Sequence, residues 1–460
     1  MTVLDERSGP PATGDGRTTL PRSADAATVL AFLVVLQLLL PSRLVVSGLP
    51  LSLSAASLVA LGLGALWLGA QMTTTLGAAK GRNPVRTLLF VYVGTLLASY
   101  ASAAYGYLPK DERALSDHAM VTTFALVFTG LAVCDGVRSR DRLYFLLRVV
   151  VVCSALVAAV GIVQYLVDFD PTPYLRPPGM HATSFESSVG LRGGLVRAAG
   201  TTANPIEFGV LCAMALPLAI HLDFHATQHG RRATGWWTCV ALLGAGLMFS
   251  VSRSAVLGVL AAGLVLFLGW SARQRARMAV AGVAFLVMIK VAAPGLLRTF
   301  LAMFRTAHQD SSVQWRTHDY ATAGNLISQH PWLGRGIGTW YAPKHEVFDN
   351  QYLLTLVGTG VIGLLALVGI VVAALYAACR AGVLAAGIPE WIGTAVTDRD
   401  LALSVAASLA VVLPTFATFD FLSFPTVACL LFLLVGIAAA LLRIVRAEVA
   451  GEAPDPYAVM

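Results

Sequence analysis

Long apolar runs dominate the chain, and they decide what it can fold into. A bilayer-spanning helix needs roughly 20 apolar residues, and this sequence offers about twelve such runs. They lie near 27–46, 51–71, 86–106, 116–135, 144–167, 206–222, 235–251, 254–270, 277–296, 351–379, 400–418 and 424–444. Backbone N–H and C=O groups in lipid must be satisfied within the segment, so these runs read as helices. Only 12% of the residues are charged, about half the usual share for a soluble domain. The expected fold is an all-α integral membrane protein with about 12 transmembrane helices, connected by short loops and two long external ones. The long loops fall near 168–205 and 297–350, and the second is expected to be partly helical. The 235–270 region reads as one helical hairpin or something less regular.

Charge sets the expected orientation. With the N-terminus in the cytoplasm, more than half of the 32 Lys and Arg fall on the cytoplasmic side, among them Lys80, Arg82, Arg138, Arg231, Arg273 and Arg443. That is the positive-inside pattern, and it puts both termini inside. Residues 1–25 and 447–460 read as cytoplasmic tails around a polytopic membrane domain at 26–446, the first tail disordered. No cleavable signal peptide is expected, because the first apolar run starts late. The pI near 9.2 then reports topology and gives no reason to expect a nucleic-acid partner. The six cysteines sit in or at the ends of the runs without ligand-like spacing, so they read as small packing residues.

The most polar long segment is Gln314 to Gly363. It opens on a capping-box spacing at Ser311 and Gln314. Trp315, Ala323, Leu326 and Ile327 follow at helical spacing, with Thr322 on the same face, and Pro331 marks the stop. The run GRGIG then supplies Gly334, Gly336 and Gly338, able to turn tightly and aim N–H groups at an anion. His345, Glu346, Asp349 and Asn350 precede the next apolar run, whose GTGVIG stretch would let helices approach closely.

Three arginines stand out by context: Arg197 before the sixth run, Arg253 between the seventh and eighth, and Arg316 on the loop helix. Topology brings them to one face, where the guanidinium fork grips phosphate oxygens. Arg253 alone also reads as an interfacial snorkel, and Arg316 alone as a solvated helix face. Glu207, just inside the sixth run, is expensive in a membrane and so a functional candidate. It reads equally well as a partner of Arg197 or as a helix N-terminal charge.

VRAAGTTANPIEFG, SVSRSAVLG, QWRTHDYATAGNLISQHPWLGRGIGTW and DNQYLLTLVGTGVIG, in that order, resemble the O-antigen ligase/polymerase superfamily of bacterial membrane glycosyltransferases. The resemblance covers roughly 190–375 by motif. It implies transfer of a glycan from a polyprenyl-linked phosphate carrier to a glycan or lipid acceptor hydroxyl, outside the bacterial cytoplasmic membrane. It implies no nucleotide sugar, no metal and no other cofactor. It also implies carrier phosphates held by external arginines, at Arg197, Arg253 and Arg316 here. Ligases of that family carry a His followed by Asn, Ser or Gln, nine residues and G-x-x-G. Here Asp349 and Asn350 are followed by nine residues and then Gly360 to Gly363, so the His position holds Asp.

A carboxylate at that place can accept the acceptor's proton as general base. His345, one turn upstream if the segment is helical, is the alternative base or helper, and an Asp/Asn helix cap is the plain alternative for Asp349 and Asn350. The expected site is therefore Asp349, His345 and Arg316 for catalysis. Arg197, Arg253, Arg316, Asn350, Gly334, Gly336 and Glu207 are expected around the lipid-linked phosphate. A flippase or other transporter is the competing reading, although few ionisable residues sit at mid-membrane where transporters bind. A transferase of another polytopic fold with a monophosphate donor is a further one. Its customary acid in the first external loop is missing between Arg43 and Pro50.

Overall fold

The computed structural model describes residues 25–73, 83–106, 108–183, 189–192, 195–292, 295, 298, 311–341, 344–346, 348–387 and 395–451. For 191, 192, 195, 292, 311–319 and 395 it describes the backbone alone. The described chain is a helical bundle. Its helices are α1 (Ala26–Leu39), α2 (Ala55–Met72), α3 (Pro84–Tyr105), α4 (Lys110–Gly136), α5 (Arg140–Val167), α6 (Pro205–Gln228) and α7 (Thr234–Phe249). They continue with α8 (Arg253–Gly269), α9 (Ala272–Ala292), α10 (Ser311–Gln329), α11 (Gln351–Ala385), α12 (Ala395–Ala410), α13 (Val412–Phe416) and α14 (Pro425–Val449). Among the described residues, 8 segments are long and apolar enough to cross a membrane, one of them running through α12 and α13 as Val396–Phe416. Three shorter apolar helices, α1, α7 and α8, accompany them.

The helix starts follow from sequence. Pro84, Pro205 and Pro425 occupy the first turn, where a missing N–H costs nothing. Asn83 and Asn204 cap α3 and α6, their side-chain oxygens accepting from Val85 N and Glu207 N. The helices α6 and α14 are central: 89% and 94% of their apolar windows are buried, against 22% for α2.

The expected spans are close to the observed helices, with physical reasons for the differences. The first, expected to reach residue 46, stops at Leu39 ahead of Pro41. Leu44–Val46 forms strand β1, which pairs antiparallel with β2 (Met180–Ala182) of the first long loop. The polar KDER stretch, expected in the 107–115 connection, is the first turn of α4. The 235–270 region is a hairpin of α7 and α8. The span expected at 351–379 is interrupted at Gly360. The 1–24 and 452–460 tails and loop residues 299–310 lie outside the described residues.

Hydrogen bonds show which helix termini share an end. Arg43, after α1, donates to Ala203 O beside α6 (3.0 Å), and Leu422 N beside α14 donates to Gln351 Oε1 of α11 (2.8 Å). Arg335, after α10, reaches Glu112 at the start of α4 (2.9 Å). At the opposite end α3 meets α4 through Arg86 and Asp135, and α6 meets α9 through Asp223 and Arg277.

Candidate functional site

The site is best built from the α7–α8 turn. Strand β4 (Leu195–Arg197), the second strand of a hairpin with β3 (Gly190–Arg192), leads into Ala198, whose N–H bonds Phe249 O at 3.1 Å. Arg197 Nε donates to Ser250 O at 3.1 Å. The buried Val251 follows at φ 46, left-handed backbone that a β-branched residue adopts only when its surroundings impose it. Ser252 then caps α8 through Ala255 N (3.4 Å), and the half-buried Arg253 is its first residue. Two arginines far apart in sequence thus meet at one strained turn, Arg197 bonded to it and Arg253 directly after it.

Glu207 lies next to this turn, fully buried in the first turn of α6. Its Oε2 accepts from Ala203 N (2.7 Å), and its Oε1 accepts from Thr426 N (2.8 Å) and Val427 N (3.4 Å). Helix α14 has no side-chain cap of its own, so Glu207 satisfies two of its orphan N–H groups. Both oxygens serve backbone N–H groups at helix starts, the helix N-terminal role that the sequence suggested. The sequence reading missed a third acid, Asp420, which precedes the 3-10 turn Phe421–Ser423. Burial, with the charges of Asp349 and Glu207, pushes its pKa up to about 7, against a hydrogen bond from Ser423. Asp349 and Asp420 therefore lie near enough at the start of α11 for their charges to interact. The signal for Asp420 in the sequence was a lone acid in the apolar run FATFDFLSF.

Helix α11 itself is broken. Gly360 adopts φ 69 and ψ −171, and a Cβ there would lie 2.2 Å from Trp332 O, so only glycine fits. An unbroken helix would bond Val361 N to Val357 O and Ile362 N to Gly358 O. Instead Arg335 N and Gly336 N donate to Val357 O and Gly358 O (2.8 and 2.9 Å). Val361 N and Ile362 N donate to Pro331 O and Trp332 O (2.9 and 3.3 Å). Loop 331–336 therefore fills the break and replaces both lost helix bonds, as the membrane interior requires. This corrects one expectation. The N–H of Gly336 is used by Gly358 O and that of Gly334 by His330 O (3.1 Å), so neither is aimed at an anion. The GTGVIG stretch admits that loop as well as the neighbouring helix α3, whose Ser99 Oγ donates to Gly358 O at 3.0 Å.

His345 belongs to a second cluster. Glu112, buried in the first turn of α4, accepts from Arg335 Nη2 with both carboxylate oxygens (2.9 Å each) and lies 2.7 Å from Lys344 Nζ. The Glu112 and Asp111 carboxylates raise the Lys344 pKa. His345 Nε2 is 3.6 Å from Glu112, and its ring stacks on Trp340 at 4.2 Å. Residues 344–346 and 348–350 are not helical, so the one-turn relation to Asp349 that the spacing suggested does not hold. Asn350 caps α11, accepting from Tyr352 N (2.9 Å) and Leu353 N (3.2 Å), while its Nδ2 reaches Tyr320 Oη at 3.5 Å.

The loop helix forms as expected. On α10, Ala323 is buried with Phe348, Leu353 and Val357, and Leu326 and Ile327 pack against them. Arg316 stands on this helix one turn before Tyr320 and two turns before Ala323; its side chain lies outside the described residues.

Fold and site together define a multi-pass membrane protein with arginines and a crowded acid pair at one end of its bundle. Residues 238–368 match the family model described as O-Antigen ligase, so this segment is similar to the O-antigen ligase/polymerase superfamily. The matched segment holds Arg253, Arg316, the GRGIG loop, His345, Asp349 and the α11 break; Arg197, Glu207 and Asp420 lie outside it. No curated protein matches the chain.

Proposed function

We propose that the protein is a glycosyltransferase of about twelve spans that moves a glycan from a polyprenyl-(di)phosphate carrier to an acceptor hydroxyl. The reaction takes place at the external face of the bacterial cytoplasmic membrane, without a metal. The observation that carries this reading is the strained α7–α8 turn, where Arg197 and Arg253 meet at the bundle end that also holds Asp349 and Asp420. The opposite end carries Arg86, Arg140, Arg142, Arg277 and Arg443, and by the positive-inside rule they support placing the site outside.

In this reading Arg197, Arg253 and Arg316 grip the carrier phosphate. The acceptor oxygen attacks the anomeric carbon and its proton passes to Asp349. The bond from that carbon to the bridging phosphate oxygen breaks, and the oxygen leaves with the carrier, its charge held by the arginines. Asp420, whose pKa burial raises to about 7, adds a second carboxyl near Asp349 that can hold a proton near neutral pH. Asn350 holds the α11 N-terminus in place, Glu207 holds α14, and the Glu112–Lys344–His345 cluster braces the loop.

The test is purified protein in detergent with a lipid-linked glycan pool and candidate acceptors, following free polyprenyl phosphate or diphosphate. Release that depends on acceptor and on Arg253 supports the transferase. Movement of lipid-linked glycan across liposomes without such release would replace it with the flippase.

A further inference from the structure

Beside the acid pair a cavity of about 520 Å³ runs into the bundle between α1, α2, α4, α11 and α14. Ser423, which bonds Asp420, lines it, as does Gln351, two residues from Asp349. It follows α4 from His118 to Thr129, about 16 Å at 1.5 Å per residue. Among the described residues lining it, none is Asp, Glu, Lys or Arg.

Its polar wall is specialised. The hydroxyls of Thr122, Thr123, Thr129 and Thr359 each donate to a carbonyl of their own helix, at 2.7–3.0 Å. A threonine hydroxyl has one donor and two acceptor lone pairs, so what these four offer the cavity is acceptors. Ser42 Oγ, also on the wall, is buried without a hydrogen-bond partner. A phosphate or carboxylate finds no Lys or Arg here to balance its charge and would lose its hydration uncompensated. A sugar brings hydroxyl donors to the threonines and C–H faces to Leu96 and Phe432 on the apolar wall.

We propose that this cavity is the acceptor subsite and takes an uncharged, hydroxyl-rich glycan end; the acceptor role rests on the transferase reading above. Donor phosphate and acceptor sugar are then separated by chemistry, arginines on one side of the acid pair and polar groups without Lys or Arg on the other.

The test uses full-length protein in nanodiscs and saturation-transfer NMR. The probes are neutral hexose and pentose tetrasaccharides, with a uronic-acid tetrasaccharide as the anionic counterpart. Neutral probes bind, the uronic probe binds at least about tenfold more weakly, and the Thr122→Val/Thr359→Val pair lowers neutral binding roughly tenfold. Ala125→Leu, which narrows the cavity, does the same while leaving polyprenyl diphosphate binding unchanged. Equal binding of the uronic probe, or neutral binding indifferent to all three changes, overturns the proposal. So does Ala125→Leu losing polyprenyl binding instead, which would make the cavity a lipid-tail site. Neutral binding with no carrier release under any acceptor would uphold the ligand class and sink the transferase. Release with an acceptor KM untouched by these changes would do the reverse.

Discussion

The two ends of the bundle treat their acids differently. At the end holding the starts of α3, α5 and α12, carboxylates face cations. Asp135 meets Arg86 and receives Trp67 Nε1 (3.0 Å), and Asp223 meets Arg277 (2.9 Å). Asp398 meets Arg140, which also reaches Glu448 (2.6 Å). At the other end Glu112 keeps that pattern with Arg335 and Lys344, but Asp420 is crowded by Asp349 and Glu207. Opposed charges in a bundle end hold helices together. Like charges work against folding and persist where the surrounding structure imposes them and a reaction uses them.

The comparison can be broken first at the arginines. Arg253→Ala is expected to lower acceptor-dependent carrier release roughly a hundredfold to a thousandfold, the scale of a lost electrostatic contact to a leaving group. Arg253→Lys keeps the charge without the fork and should recover part of it. Next, Asp349→Asn should reduce release on the order of a hundredfold or more with donor binding retained, if it is the base. At the opposite end the effect is on folding instead. Arg140→Ala leaves buried Asp398 without its partner and should destabilise by roughly 3 kcal/mol, seen as a lower Tm, with release per folded molecule unchanged.

The smallest and most discriminating effect concerns pH. Asp420 titrates near pH 7 in the folded protein, well above an ordinary Asp, because of burial and its acidic neighbours. The folded state therefore holds its proton more tightly than the unfolded chain. The stability tied to that proton is complete below about pH 4 and is lost as pH rises through about 7. Asp420→Asn should flatten this dependence in Tm measured from pH 5 to 8.

Much of the fold was legible because its causes are local. The prolines at 84, 205 and 425, the asparagine caps and the length of each apolar run fix where helices start and roughly where they stop. The α10 face of Ala323, Leu326 and Ile327 was legible for the same reason, its period matching the helix. The break in α11 was not, because a run of glycines and threonine in an apolar segment serves close packing equally well. Only the pairing of Arg335 and Gly336 with Val357 and Gly358 distinguishes them, and that pairing is long-range. Glu112 was hidden because KDER reads as a loop, and Glu207's service to α14 spans two distant helix starts. The convergence of Arg197 with Arg253 was expected from topology; the hydrogen bond to Ser250 that fixes it was not.

The most direct measurement sets three proteins side by side: wild type, Arg253→Ala and Arg140→Ala. Each is purified, normalised to folded protein and given lipid-linked glycan with acceptor. The account predicts release of free polyprenyl phosphate or diphosphate by wild type and Arg140→Ala at equal rates, and almost none by Arg253→Ala. Release that survives in Arg253→Ala, or that fails equally in both variants, would contradict it.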